Sequence, residues 1–166
     1  MRVLGIDPGL NISGYGIIES LGDGSDMNII EAGIIRTNAK TDMDQRLVEI
    51  GREFDSVLKQ FEPDEMAIEE LYSHFNHPKT SIIMAHARGL MIFKAAEAGL
   101  RVVSYASTRI KKSLTGNGRA TKEQMQKAVQ TNMGLKSLPE PPDVADALAV
   151  AWCHLQAINR IEVAAI

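Results

Sequence analysis

Arg2-Val3-Leu4-Gly5-Ile6-Asp7-Pro8-Gly9 is a short apolar run that stops at a turn signal, with an acid at the stopping point. Ser13 to Glu19 (Ser-Gly-Tyr-Gly-Ile-Ile-Glu) reads as a second strand, Asp23-Gly24-Ser25-Asp26 as a turn, and Met27 to Thr37 as a third strand. The connections are too short for helical crossovers, so these three strands form an antiparallel meander. A helix follows over about 43–61, where Leu47, Ile50, Phe54, Leu58 and Phe61 recur at three- and four-residue steps on one face. Pro63-Asp64 breaks it. Met66-Ala67-Ile68 is a buried strand that ends in two acids, Glu69 and Glu70.

Beyond a polar loop, Tyr72 to Lys79, the pattern predicts a helix from Ser81 to Ala98, ended by Gly99, and a fifth strand, Val102 to Tyr105. Thr108 is positioned to cap a short basic helix that stops at Gly116-Asn117-Gly118. Thr121 and Gln124 have capping-box spacing for the next helix. After Pro139-Glu140-Pro141-Pro142, the last helix runs from Asp143 to about Arg160. The expected fold is α/β: a five-stranded mixed sheet, three strands antiparallel and two parallel, flanked by helices.

The chain has 166 residues, 45% hydrophobic and 23% charged. At about 150 residues per domain that is one domain, 1–166, with enough chain for one core. Fibrous, disordered and disulfide-scaffold classes are excluded. Cys153 is the lone cysteine, which points to a reducing compartment and reads as a small core residue. No stretch reaches the roughly 18 apolar residues of a membrane helix, and Asp7 comes too early for a signal peptide. The expected location is the cytoplasm.

The net charge of −3 is unevenly spread. Residues 101–136 hold Arg101, Arg109, Lys111, Lys112, Arg119, Lys122, Lys127 and Lys136 against the single acid Glu123. That segment is +7 and the remainder −10. Such asymmetry marks a phosphate-binding face on an acidic body, or else a solvated basic surface.

Asp7 ends the first strand and Glu69 the fourth. If those strands are parallel neighbours, both carboxylates emerge at the carboxyl edge of the sheet, where α/β folds place their sites. Asp143 and Asp146 are three residues apart and project from one face of a first helical turn. Four converging carboxylates repel, and some stay protonated unless a counter-charge is present. Hard divalent cations supply it, and a pair about 4 Å apart forms the clamp of many nucleases. Singly, each acid has a plainer account. Asp7-Pro8-Gly9 suits a turn, Asp143 an N-cap, Asp146 the helix dipole, and Glu69 and Glu70 a solvated strand end. His74 and His77 lack a third zinc ligand nearby. His154 lies roughly 12 Å along the helix axis from Asp146 and reads as structural.

The stretches Leu4-Gly5-Ile6-Asp7-Pro8-Gly9 with Gly14-Tyr15-Gly16, Ala67-Ile68-Glu69, Ala87-Arg88-Gly89, Gly116-Asn117-Gly118 with Lys122, and Asp143-Val144-Ala145-Asp146-Ala147-Leu148-Ala149 together resemble RuvC-type Holliday-junction resolvases, of the RNase H-like superfamily. They run in the family's order over nearly the whole chain. The resemblance implies a homodimeric endonuclease for four-way DNA junctions in recombination and repair. It would make paired symmetric nicks with two Mg²⁺ or Mn²⁺ ions and leave 5′-phosphate ends. It places the catalytic, metal-binding acids on Asp7, Glu69, Asp143 and Asp146, and the active-site lysines on Lys111 and Lys122. It places a base-stacking aromatic on Tyr72 or Phe75 and dimerisation on the helix that carries Ile82, Ile83, Ala85, His86, Gly89, Leu90 and Phe93. With Arg109, Lys112 and Arg119, the basic segment becomes the DNA-binding surface. A RuvA–RuvB-type motor is the implied branch-migration partner. Other classes stay open on the residues alone: an actin-like or sugar-kinase ATPase built on Asp7 and Gly9, a junction-binding protein that does not cut, or a nuclease for RNA–DNA hybrids.

Overall fold

The computed structural model describes residues 1–21, 26–71 and 78–164. In chain order the elements are β1 (Arg2–Asp7), β2 (Ile12–Leu21), β3 (Asp26–Arg36), α1 (Met43–Phe61), β4 (Glu65–Glu69), α2 (Pro78–Glu97), β5 (Arg101–Tyr105), α3 (Ser107–Thr115), α4 (Lys122–Asn132) and α5 (Pro142–Ala164). The sheet order is β3-β2-β1-β4-β5. β1, β2 and β3 pair antiparallel, and β4 and β5 join β1 in parallel. The five-stranded mixed sheet is thus the one expected, with the Asp7 strand at its centre.

Two apolar layers sandwich the sheet. On one face Ile50, Phe54 and Val57 of α1 and Met91 of α2 pack on Leu4, Ile6, Ile17, Met66 and Ile68. On the other, Leu148 and Ala151 of α5, with Ile110, Leu114, Met125 and Val129 of α3 and α4, pack on Val3, Ile18, Ala67 and Tyr105. The alternation of strand side chains fixes this division. Odd-numbered Val3 and Ala67 face α5, even-numbered Leu4, Ile6, Met66 and Ile68 face α1 and α2. Asp7 and Glu69, in phase with Val3 and Ala67, therefore belong to the α5 face.

Three helix starts differ from the sequence expectation. α3 begins at Ser107, preceded by an extended Ala106 that makes no side-chain cap, so Thr108 lies inside the helix. α2 begins at Pro78 instead of Ser81, and α5 at Pro142 instead of Asp143. Proline suits a first helical position because its φ is preset and its missing N–H has no partner to lose there. Asp143 consequently sits within the first turn of α5 and is not its cap. The Thr121 capping box is present, with Gln124 donating its amide to the Thr121 hydroxyl and Thr121 donating its own to the Gln124 side chain. His154 is structural as read: it bonds Tyr105 Oη at 2.8 Å and Glu65 Oε2 at 2.8 Å, and burial lowers its pKa. Cys153 is buried in the core.

α5 rests on a floor of glycine. A Cβ on Gly5 would stand 2.3 Å from the Ala147 carbonyl oxygen and 2.5 Å from the Ala151 amide. One on Gly14 would stand 2.0 Å from the Asp143 carbonyl oxygen, and one on Gly16 would meet the Leu148 side chain at 2.8 Å. Gly5 and Gly16 are register partners, and Gly14 is the partner of Asp7. At Gly5 and Gly14 backbone meets backbone, so no rotamer change relieves an added methyl. Gly5→Ala is expected to destabilise the fold by about 1–3 kcal/mol or more. Gly89→Ala, where the space around the Cβ is open, is expected to stabilise it by up to about 1 kcal/mol through helix propensity. Urea unfolding of the two variants checks the contrast.

Candidate active site

Asp7 and Glu69 end adjacent parallel strands at the carboxyl edge of the sheet, since the register Ile6↔Ile68 continues to them. Asp143 and Asp146 reach the same edge from the first turns of α5, which the glycine floor brings down onto β1 and β2. A cavity of about 190 Å³ is lined by Asp7, Glu69 and Asp146 with Ser107, Lys111 and Lys122. A wider groove of about 1060 Å³ opens beside it, shared by Asp7, Glu69, Ser107 and Lys111 and bounded by Thr80 and Met84 of α2.

The turn after Asp7 is tied down on several sides. The buried Ser13 hydroxyl donates to the Gly9 carbonyl and accepts the Gly9 amide at 3.0 Å. A Cβ on Gly9 would fall 2.1 Å from the Ile12 carbonyl oxygen. Thr37 donates to the Leu10 carbonyl at 2.6 Å, and the buried Arg46 guanidinium donates to Thr37 and to Asn11. Asp7 is therefore held by main-chain structure whether or not its carboxylate is charged.

The electrostatics show how close the acids lie. Burial pushes the Asp7 carboxyl up to about 7, and the negative charges of Glu69, Asp146 and Asp143 add to the shift, against a pull from Lys122. Glu69 is raised mainly by burial, with a hydrogen bond from Ser107 and the Lys111 and Lys122 charges opposing. Burial pulls on Lys122 in the other direction, but Asp146, Asp143 and Asp7 keep it firmly protonated. Its Nζ is 3.2 Å from Asp146 Oδ2. The donor set is carboxylate oxygen throughout, which fits a hard divalent cation and no soft one. Among the described residues the acids converge without closing a three-ligand cage.

Six of the residues singled out in the sequence thus come together: Asp7, Glu69, Asp143, Asp146, Lys111 and Lys122. Arg109, Lys112 and Arg119 line neither cavity and are exposed. The Arg109 guanidinium stacks 4.8 Å above the Tyr105 ring. Tyr72 and Phe75, like His74 and His77, lie outside the described residues. Sequence reasoning missed Ser107 and the glycine floor. Ser107 was visible as the second residue after a parallel strand whose register aligns Tyr105 with Glu69. The glycines were quoted as a motif, but their reason, the close passage of α5, exists only in three dimensions.

Comparison with known proteins gives a consistent result. The family described as crossover junction endodeoxyribonuclease RuvC matches residues 3–154. A protein of that name from Rhodopirellula baltica is 45% identical over 96% of this chain and 89% of its own. Another from Caldicellulosiruptor saccharolyticus is 45% identical over 97% of this chain and 96% of its own. The structure of Thermus thermophilus RuvC in complex with Holliday junction substrate superimposes with a TM-score of 0.87 at 30% identity, covering 96% of each chain.

The Asp7 shift has a direct consequence. Its folded value, about 7, lies above its ordinary 3.8. The folded state therefore holds a proton that the unfolded chain has released, and stability from this group falls as pH rises from about 4 to about 7. A divalent cation held by the carboxylate would replace that proton. Mg²⁺ is expected to raise the melting temperature of the protein alone at pH 8, with a gain that shrinks as pH falls through 7. Asp7→Asn is expected to raise the melting temperature at pH 8 without metal and to lose most of the Mg²⁺ response. Thermal denaturation with Mg²⁺ titration from pH 5.5 to 8.5 measures both. A shift independent of pH would contradict the assignment.

Proposed function

The chain belongs to the RuvC family of crossover junction endodeoxyribonucleases, and from that premise we propose that it resolves four-way DNA junctions by paired symmetric nicks during homologous recombination and repair. The observation that carries this reading is the gathering of Asp7, Glu69 and Asp146 around one cavity with Lys111 and Lys122, within the electrostatic reach of Asp143. The raised Asp7 supports a role at the centre of a cation-binding set, because only a strong counter-charge lets all four acids ionise together.

In this reading Asp7, Glu69, Asp143 and Asp146 hold two Mg²⁺ ions, with Mn²⁺ as a substitute. When bound, such ions activate water for in-line attack and stabilise the leaving oxygen. The protein's own groups orient the substrate. Lys122 carries three donors, so it keeps Asp146 with one and offers the others to the scissile phosphate. Lys111, which lines the same cavity and whose charge acts on Glu69, offsets charge on the same phosphate as it builds up. The products are a 5′-phosphate and a 3′-hydroxyl. Arg109, Lys112 and Arg119 extend a basic track along α3 and the segment before α4 for the DNA backbone, and Tyr72 or Phe75 stacks on an unpaired base at the crossover.

A symmetric pair of cuts needs two sites, and α2 supports a homodimer. Ile82 is 60% exposed and Phe93 59%, on the helix that already buries Ala87, Met91 and Ala95 in the core. A RuvA–RuvB-type motor is the branch-migration partner this assignment carries.

The test is cleavage of a synthetic mobile junction with and without Mg²⁺, beside an RNA–DNA hybrid. Asp7→Asn is expected to bind the junction as tightly as the wild type. It should cut about 10³-fold more slowly or worse, as when one member of a cooperating set is removed. Cutting by Asp7→Asn at a near-normal rate, or a preference for the hybrid, would sink the proposal. Junction affinity should fall steeply with salt. Lys112→Gln and Arg119→Gln should each reduce the slope of log K against log salt by about 1.

A further inference from the structure

We infer that Arg88 is a positioning residue for the reaction: from the opposite side of the sheet it fixes the end of β4, and so the aim of the Glu69 carboxylate. The inference rests on the reading of the site given above. Arg88 lies in α2, within the Ala87-Arg88-Gly89 motif that no part of the mechanism uses. Its Nε donates to the Glu69 main-chain carbonyl at 3.0 Å, and the same guanidinium donates to Ser104 Oγ at 2.7 Å. Ser104 is the register partner of Ile68, one residue before Glu69. The two bonds therefore clamp the last turn of the β4–β5 ladder to α2.

The need for the clamp follows from the register. Glu70 donates its amide to the Tyr105 carbonyl on β5 at 2.9 Å. The carbonyl of that same peptide belongs to Glu69 and points the other way, toward β1. There a parallel ladder would serve it with the amide after Asp7. That residue is Pro8, which has no N–H. Pro8 thus ends the β1 ladder beside Glu69, and Arg88 supplies the donor the proline lacks.

The faces also divide the labour. Glu69 presents its side chain on the α5 face with Tyr105, whereas α2 packs on the face of Ile68 and Met66. Arg88 grips the peptide from one face of the sheet while the carboxylate is presented on the other. Its influence is geometric. The planar fork spans a carbonyl and a hydroxyl at once, which a lysine ammonium on a flexible stem does not reproduce.

Arg88→Gln, Arg88→Lys and Ser104→Ala test this against the wild type. The readouts are junction cleavage as a function of Mg²⁺ concentration, junction affinity without metal, and the Mg²⁺-induced thermal shift without DNA. Arg88→Gln is expected to raise the Mg²⁺ half-saturation about ten-fold or more, as loss of an outer-shell partner does, while junction Kd stays within about two-fold. Its thermal shift at a given Mg²⁺ concentration should shrink in step. Arg88→Lys should recover only part of the loss, and Ser104→Ala, missing one bond of two, should fall between Arg88→Gln and the wild type. A wild-type Mg²⁺ midpoint in Arg88→Gln overturns the inference. So does a loss that follows junction Kd, which would make Arg88 a DNA contact, and so does full rescue by lysine, which would make it a mere charge. If Arg88→Gln does not fold, Arg88→Lys and Ser104→Ala decide on the same readouts. Should the wild type fail to cut junctions, the site reading falls, yet the DNA-free thermal shifts still judge Arg88 as a support for Glu69.

Discussion

Helix α5 lies on β1 and β2 with bare backbone between them, and the position of every acid depends on that contact. Gly5, Gly14 and Gly16 leave no side chain under Ala147, Asp143 and Leu148. Helix packing over ordinary side chains would lift the whole first turn of α5 away from the sheet. Asp143 and Asp146 would then be out of range of Asp7, which is fixed at the end of the central strand. The strand partner of Asp7 is Gly14, the glycine beneath Asp143. One register pair thus holds a functional carboxylate on one side and the clearance for its neighbour on the other.

Close approach has an electrostatic cost, and the fold absorbs it in apolar packing. Desolvation of the half-buried Asp7 carboxyl, with three other acids in range, holds its proton on to about pH 7. A cluster of like charges opposes folding, and functional sites are where such local conflict is tolerated. Two continuous apolar layers, one on each face of the sheet, hold the strand ends where they are. The turn after Asp7 is braced through its main chain and Asn11 by Ser13, Thr37 and the Arg46 guanidinium, so its shape does not hang on the charge state of the acid. The turn that carries Asp7 is consequently fixed by bonds that need no counter-ion, which is the condition for electrostatic preorganisation.

The parts read correctly from the sequence are those governed by short-range rules. Alternation and turn residues placed all five strands, and three-four periodicity placed α1 to the residue. The strand-end acids were legible because parallel strands joined by crossover helices must present their ends at one edge. The helix start at Pro142 was misread because Asp143, a good capping type, outweighed the preset φ of proline, and the start at Pro78 because Pro78 and Lys79 were assigned to the polar loop before it. Ala106 before α3 offers no cap to detect, and its extended conformation follows from the end of β5. Arg109 was grouped with the basic segment from the sequence, whereas its stacking on Tyr105 depends on how α3 docks against β5 and was not legible there. Ser107 and Arg88 act through register and through the opposite face of the sheet, neither of which a linear motif carries.

The acids and the lysines are held in different ways, and the difference matches the tasks proposed for them. The acids stand on strand ends and on the opening of a long helix packed into the core. The lysines stand on α3 and α4, two short helices joined through Gly116 and stacked on α5. Cation ligands need fixed separations, because a hard ion tolerates little error in oxygen distance. A lysine that meets a phosphate acts as a point charge on a long stem and tolerates more. Lys122 shows the second behaviour directly: it is largely exposed, yet it finds Asp146 at 3.2 Å. Its ammonium is drawn to whichever neighbour carries the greater negative charge, so a phosphate bound there would compete for it without the backbone having to move. The acid framework and the basic arm can therefore be built to different tolerances within one small fold.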